Sequence, residues 1–129
     1  MPRRPEPAGP GAGLTPEARK AQLETARELF NRGEFWLAHE ALETVWRSIS
    51  RDRAEERLVW QGLIQACAAL VHRARKNRAG LIKVGAAAVE KLAGGQHADV
   101  EFDTVRFRAQ LTRALAGEGD PPRLEWRTP

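Results

Sequence analysis

The stretch "FNRGEFWLAHEALETVW", residues 30–46, decides the fold class and raises the main functional question. Its apolar residues recur at steps of three and four, which predicts a helix over about residues 34–48. His39 lies four residues after Phe35 and three before Leu42, so the imidazole shares the apolar stripe of this helix. A polar ring on a buried stripe needs either a structural partner or a function.

The same periodicity predicts four further helices along the chain. The first begins after Thr15, a good N-cap residue, and ends near Asn31. The others cover about residues 54–76, 79–92 and 103–115. Short connections make successive helices antiparallel neighbours, so the sequence predicts an all-α, compact up-and-down bundle of about five helices.

The 129 residues suit one domain. Residues 1–13 are rich in proline and glycine and are predicted to form a disordered arm. Residues 14–116 are predicted to form the helical bundle domain, and residues 117–129 an extended C-terminal tail in which Trp126 docks back.

Composition restricts the compartment. The single cysteine, Cys67, cannot form an internal disulfide, which favours a reducing, cytoplasmic setting. The N-terminal residues lack the apolar segment of a signal peptide, and no apolar run approaches the roughly 20 residues of a membrane span. We therefore expect no contact with a membrane.

Residues 39–43 read H-E-x-x-E, which resembles the zinc-protease pattern H-E-x-x-H with a glutamate in place of the second histidine. His39 and Glu43 are four residues apart and therefore neighbours on one helical face. A carboxylate can bind a divalent metal, so His39 and Glu43 are candidate ligands for Zn or Mn, with Glu40 as the candidate base. A catalytic zinc needs a third protein ligand, for which His72, Glu40 and Glu34 are the candidates.

The third helix carries a matching polar stripe, at spacings of four, four and seven residues: Arg57, Gln61, Gln65 and His72. Buried amides must find hydrogen-bond partners, so this stripe and the His39 face could satisfy each other. One interpretation is a small polar pocket that binds a ligand or a metal ion. The other is a buried hydrogen-bond network without chemistry. The spacing alone does not show that the two faces meet.

The formal net charge is +4, and much of the excess lies in one segment, at Arg73, Arg75, Lys76, Arg78 and Lys83. Such a segment permits binding of nucleic acid or another polyanion. Cations are also favoured at a helix C-terminus, and no aromatic residue interleaves with these charges. The pattern therefore favours a solvated helix end over nucleic-acid binding, without excluding the latter.

Two runs, "FNRGEFWLAHEALETVWR" and "QGLIQACAALVHRARKNRAG", resemble domain-of-unknown-function family 309, whose members are small all-helical proteins. The first run matches the family pattern F-N-x-G-x-[FYW]-[FYW]-E-[AC]-H-E-x-L-E-x-x-W. The second matches its Q-G-[LI]-I-Q-x-A helix, and the resemblance covers roughly residues 22–93. A metal-dependent hydrolase label is sometimes attached to the family, which implies a role for the His/Glu motif. The acid that the family usually carries before its Ala-His pair is Leu37 here, a change that would impair a hydrolase using that acid.

Three hypotheses stay open. The first is a noncatalytic interaction or scaffold module, with a homodimer through small-residue or tryptophan surfaces as one form of it. The second is a divalent-metal hydrolase with His39, Glu43 and His72 as ligands and Glu40 as base. The third is a polyanion-binding protein that uses the basic segment.

Overall fold

The structure, a computed structural model of the protein, describes residues 13–94 and 99–128. The regular elements of these residues are helices, and successive helices pack against each other. They are α1 (Pro16–Asn31), α2 (Phe35–Arg47), α3 (Ala54–Ala74), α4 (Arg78–Lys91) and α5 (Thr104–Leu115), with one 3₁₀ turn (Leu92–Gly94) after α4. The predicted all-α bundle is confirmed, with helix ends within a few residues of the predicted ones.

Local signals in the sequence set the helix boundaries. The hydroxyl of Thr15 accepts a hydrogen bond from the N–H of Ala18 at 3.1 Å, which caps α1. The carboxylate of Asp103 caps α5 in the same way. The chain turns from α1 into α2 through Gly33 at a φ of +86°, a conformation that glycine adopts without strain.

The core lies between the helices and contains large side chains from each long element, among them Leu23, Phe30, Leu42, Trp60, Leu63, Phe107 and Leu111. Cys67 is fully buried in it, and this burial raises the pKa of the thiol. A protonated thiol without access to solvent is a packing residue, because only the thiolate is a nucleophile or a metal ligand.

Helices α3 and α4 approach each other closely. A Cβ atom added at Gly62 would lie 2.9 Å from Cγ of Leu92, so only glycine fits there without a shift. Ala66 and Ala69, on the same strip of small residues, have no exposed surface. Packing within the chain covers this strip, so it is not an exposed surface.

The C-terminal tail packs onto the bundle. Phe102 and Trp126 form an antiparallel bridge, and their rings stack with centroids 5.0 Å apart. The side chain of Asn31 donates to the carbonyl oxygen of Leu124 and accepts from its N–H, both at 2.9 Å. Leu124 itself is buried. The tail is therefore part of the packed structure from at least Leu124 to Trp126.

Almost all of the predicted N-terminal arm, residues 1–12, lies outside the described residues. Among the helices that the structure describes, none has the length and apolar character needed to cross a bilayer.

Candidate functional site

His39 and Glu43 are neighbours on α2, as their spacing predicts. Nδ1 of His39 lies 3.3 Å from Oε1 of Glu43, but the two atoms are not aligned for a hydrogen bond, and Nδ1 is buried without a partner among the described residues. The His39 ring stacks on Trp36 with centroids 4.9 Å apart. The other oxygen of Glu43 lies 3.4 Å from Arg47. The imidazole therefore stacks on Trp36 and lies close to Glu43, and its Nδ1 atom makes no hydrogen bond with another described residue.

The predicted faces of α2 and α3 come together only in part, because Glu43 shares a cavity with the two glutamines whereas His39 does not line it. Glu43 and Trp46 from α2, Gln61, Ile64 and Gln65 from α3, and Lys91 from α4 line one cavity of about 220 Å³. We call this cavity the amide groove. Its two glutamines lie one helical turn apart, and Lys91 donates to Oε1 of Gln65 at 3.0 Å. The side chain of Gln61 makes no hydrogen bond within the part of the chain that the structure describes.

The prediction of a fully buried cluster needs a correction. The side chains of His39 and Glu43 keep 16% and 29% of their surface exposed, and Gln61 and Gln65 are also half-buried. The reason lies in the packing of α3, which turns its apolar arc into the core and leaves this polar stripe between α2 and α4. The amides therefore meet solvent and do not depend on one another for hydrogen bonds.

Arg57 lies on the same face of α3, but its side chain contacts the C-terminal end of α2. Its guanidinium donates to the carbonyl oxygen of Ile49 at 2.7 Å and to that of Trp46 at 3.2 Å. The same group lies 4.4 Å above the Trp46 ring. Carbonyl groups at a helix end lack partners within the helix, so Arg57 caps the C-terminal end of α2.

His72 is placed apart from this cluster. Its Nδ1 lies 3.2 Å from the side-chain nitrogen of Asn77, in the turn between α3 and α4. A Cβ atom at Gly80 would lie 2.6 Å from the same Nδ1, so the ring packs directly on the backbone of α4. His72 therefore secures this turn.

The remaining acids do not complete a metal site. Glu40 and Glu34 are exposed on the surface, and Leu37 is 47% exposed. Within residues 13–94 and 99–128, no group of three or more histidine, cysteine, aspartate or glutamate side chains could hold a metal ion. His39 and Glu43 supply two ligands, which is fewer than the three of a catalytic zinc site. The described residues do not fit a resident catalytic metal.

The five residues of the basic segment are all exposed: Arg73, Arg75, Lys76, Arg78 and Lys83. None of them forms an ion pair with another described residue. Arg73, Lys76 and Arg78 line a common cavity at the turn between α3 and α4, whereas Arg75 and Lys83 do not. The structure thus divides the segment into two groups.

A second polar cluster surrounds Glu56, which the sequence presents only as an acid in the first turn of α3. The Glu56 side chain is 1% exposed, and Arg19 and Arg53 approach its two oxygens at 3.3 and 3.0 Å. The indole of Trp60 donates to Oε2 at 3.2 Å. Arg19 also holds Glu101 at 2.7 Å. The four-residue step from Glu56 to Trp60 is the one signal that the sequence offered.

Hydrogen bonds and charges of two carboxylates determine the direction in which the pKa of Arg19 shifts. Its hydrogen bond to Glu101 is the largest influence and raises the pKa of the guanidinium. Burial acts in the opposite direction and is outweighed by the two carboxylates, Glu101 and Glu56. Each oxygen of Glu56 therefore has an arginine close by, although Oε1 is buried without an aligned hydrogen bond from the described residues.

The fold and the amide groove together define a small all-helical bundle with a polar surface cavity. The model of a family described as Domain of unknown function (DUF309) matches residues 23–84, from within α1 to within α4. This match confirms, over these residues, the resemblance carried by the two motifs. No curated protein and no solved structure matches the chain.

Proposed function

We propose that this protein is a noncatalytic interaction module, and that its amide groove binds an uncharged polypeptide segment of a partner protein. One observation carries the proposal. Gln61 and Gln65 stand one turn apart in a surface cavity, between the carboxylate of Glu43 and the ammonium group of Lys91.

The chemistry of the groove suits amide groups. A glutamine side chain offers both donors and an acceptor, which is the same set that a peptide bond offers. The groove contains one acid and one base, so it favours neither a cationic nor an anionic partner. An exposed backbone, or an asparagine or glutamine side chain, would use Gln61 without displacing the bond between Lys91 and Gln65.

The size of the amide groove favours a short peptide segment over a drug-sized ligand as its occupant. Pockets for drug-sized ligands commonly hold about 300–1,000 Å³. The amide groove holds about 220 Å³, which suits a single side chain or a short backbone segment. Recognition of this kind needs further contacts outside the cavity.

Aromatic side chains of α2 can supply those contacts. Trp36 is 56% exposed although it stacks on His39, and it lies on the same helix as Glu43. The indole nitrogen of Trp46, a wall of the groove, is buried without a partner among the described residues. Tryptophan is enriched among the residues that dominate binding energy at interfaces, because it buries a large area.

A display library of random peptides tests this proposal. Peptides selected on the wild-type protein should bind a Gln61→Ala/Gln65→Ala variant about 30-fold more weakly, because each of the two lost hydrogen bonds costs about 1 kcal/mol. Gln22→Ala, which removes a half-buried glutamine of α1, is the matched control and should bind normally.

Two results would overturn the proposal. One is a selection that yields no peptide with saturable binding. The other is a set of peptides that bind the double variant as tightly as the wild type. Binding of a second copy of this chain at the groove would appear as a dimer in light scattering, and loss of that dimer in the double variant would identify the chain itself as the partner.

The metal-dependent hydrolase is the competing hypothesis, and it has a direct test. With only His39 and Glu43 in place, we expect zinc or manganese to leave the thermal midpoint of unfolding almost unchanged. A rise of several degrees in the wild type that disappears in His39→Ala would favour a metal site and count against the interaction module.

We also place the module in a reducing compartment such as the cytoplasm. The support for this is the single free cysteine, Cys67, which has no partner for a disulfide within the chain.

A further inference from the structure

The turn between α3 and α4 forms a cavity of about 260 Å³ with a basic lining. Its charged residues are Arg73, Lys76 and Arg78, and none of the acidic residues that the structure describes lines it. The other walls are polar or apolar: Asn77, Leu81, Ala114, Leu115 and Gly117. Three cations thus surround one space without a carboxylate to neutralise them.

The backbone fixes the positions of these cations. Lys76 has a φ of +59°, in the left-handed region that few non-glycine residues adopt. The side-chain oxygen of Asn77 accepts from the N–H of Gly80 at 3.0 Å, and its nitrogen contacts His72. The turn is therefore held from both helices, and the bases of the three cationic side chains have defined positions.

Folding explains only part of the charge at this turn, because Arg73 lies in the last turn of α3, where the helix dipole favours a cation, whereas Arg78 has no such explanation. Arg78 is the first residue of α4, where the helix dipole disfavours a cation. Arg73 and Lys76 are exposed and form no ion pair with another described residue. These cations repel one another without a compensating intramolecular contact, and a bound anion would remove that repulsion.

We propose that this cavity, which we call the turn cavity, binds the phosphate group of a small phosphorylated molecule. A phosphate offers several acceptor oxygens to converging guanidinium and ammonium donors, and Arg binds it in a bidentate manner. Within residues 13–94 and 99–128, no aromatic residue lines the cavity, so these residues do not supply the stacking surfaces that bind single-stranded nucleic acid. Its volume suits one phosphate group with a short substituent. The turn cavity shares no residue with the amide groove, so either proposal can fail alone.

The division of the basic segment gives a matched pair of variants for the test. Arg73→Gln/Arg78→Gln and Arg75→Gln/Lys83→Gln each remove two exposed positive charges from the same segment, but only the first pair belongs to the lining. A discrete site distinguishes them, whereas a diffuse basic surface responds equally to both.

Titration with pyrophosphate, followed by amide chemical shifts and by calorimetry, is the experiment. We expect saturable binding whose shifts centre on Asn77 and Gly80. Arg73→Gln/Arg78→Gln should raise the dissociation constant by at least about tenfold, since a charge-assisted hydrogen bond contributes about 1.5–3 kcal/mol. Arg75→Gln/Lys83→Gln should raise it by less than about threefold, through the general field alone.

Either of two outcomes overturns the turn cavity as a phosphate site. One is the absence of saturable pyrophosphate binding at low ionic strength. The other is equal weakening by the two double variants. If an RNA oligonucleotide then binds with a steep dependence on salt, and both double variants weaken it equally, the segment is a diffuse polyanion surface.

Discussion

Helix α3 carries two polar clusters of opposite character. Around Glu56, the acid is almost fully buried, and Arg19, Arg53 and Trp60 all approach its oxygens. In the amide groove, one turn further along, Gln61 is half-buried and its side chain bonds no other described residue. A buried polar group is costly unless it is paired, so the first cluster is built for stability. The second keeps its hydrogen-bonding groups available at the surface, which is what an external partner requires.

The largest expected effect tests the closed cluster. Glu56→Gln should lower the free energy of unfolding by about 3 kcal/mol, because Glu56 is buried and accepts charge-assisted hydrogen bonds from Arg19 and Trp60 that a neutral amide makes less well. Arg19 keeps Glu101 and Arg53 keeps Asp99 as partners in this variant. Urea denaturation measures this change. Glu24→Gln, at an exposed position of α1, is the control and should change stability by less than about 0.5 kcal/mol. A loss for Glu56→Gln no larger than that of the control would contradict a structural role for the cluster.

The next effect concerns the tail, which borders the closed cluster. Asn31→Ala should cost about 2 kcal/mol, since it removes two hydrogen bonds and leaves the backbone groups of Leu124 without these partners. Asn31→Asp keeps an acceptor for the N–H of Leu124, so its free energy of unfolding should lie between that of the wild type and that of Asn31→Ala. Hydrogen exchange at the Leu124 amide provides the local measurement. Unchanged exchange in Asn31→Ala would show that other contacts hold the tail.

The two clusters also differ in how far the sequence predicts them. His39, Glu43, Gln61 and Gln65 lie at helical spacings within two neighbouring helices, so their periodicity predicts both faces. Their meeting follows from the short connection between α2 and α3. Around Glu56, Arg53 and Trp60 are also local partners, but Arg19 comes from a distant segment, 37 positions from Glu56 and 82 positions from Glu101. No local pattern contains such pairings, because tertiary packing creates them.

The periodicity of the sequence could not predict how deeply the residues of the amide groove are buried. A stripe at steps of three and four identifies which residues share a face, but the spacing between neighbouring helices decides whether that face is closed. Here the gap between α2 and α4 stays open above Gln61. Lys91, which enters the groove from α4, gave no signal in the sequence for the same reason.

A smaller loss of stability is expected for a substitution at His39, and it tests the contrast between the Glu56 cluster and the amide groove. His39→Ala should cost less than about 1 kcal/mol, because the ring is half-buried, has no aligned hydrogen bond and stacks on an exposed Trp36. The same urea experiment measures it, with Trp36→Ala as a companion that removes the other half of the stack. A cost approaching that of Glu56→Gln would mean that the α2 face is a structural network after all, and would count against the open groove.

The smallest effect depends on pH and concerns Glu125, at the partly exposed rim of the tail. Burial raises the pKa of this carboxyl, but the hydrogen bonds and charges of Arg27 and Arg123 outweigh burial and hold the pKa below its ordinary value of 4.5. A carboxyl whose pKa is lower in the folded state than in the unfolded state adds stability above the unfolded pKa. That stability is lost as the pH falls through the folded pKa.

The comparison of wild type with Glu125→Gln isolates this contribution. At about pH 7 the wild type should be more stable, by less than about 1 kcal/mol because solvent screens a pair at this exposure. The difference should shrink below about pH 4, as the wild-type carboxyl takes up its proton and comes to resemble the amide. Urea midpoints at several pH values, with Glu118→Gln as an exposed control, measure the trend. A difference that stays constant with pH would assign the role of Glu125 to packing, and the rim of the tail would then be held without the charge pairing that marks the cluster around Glu56.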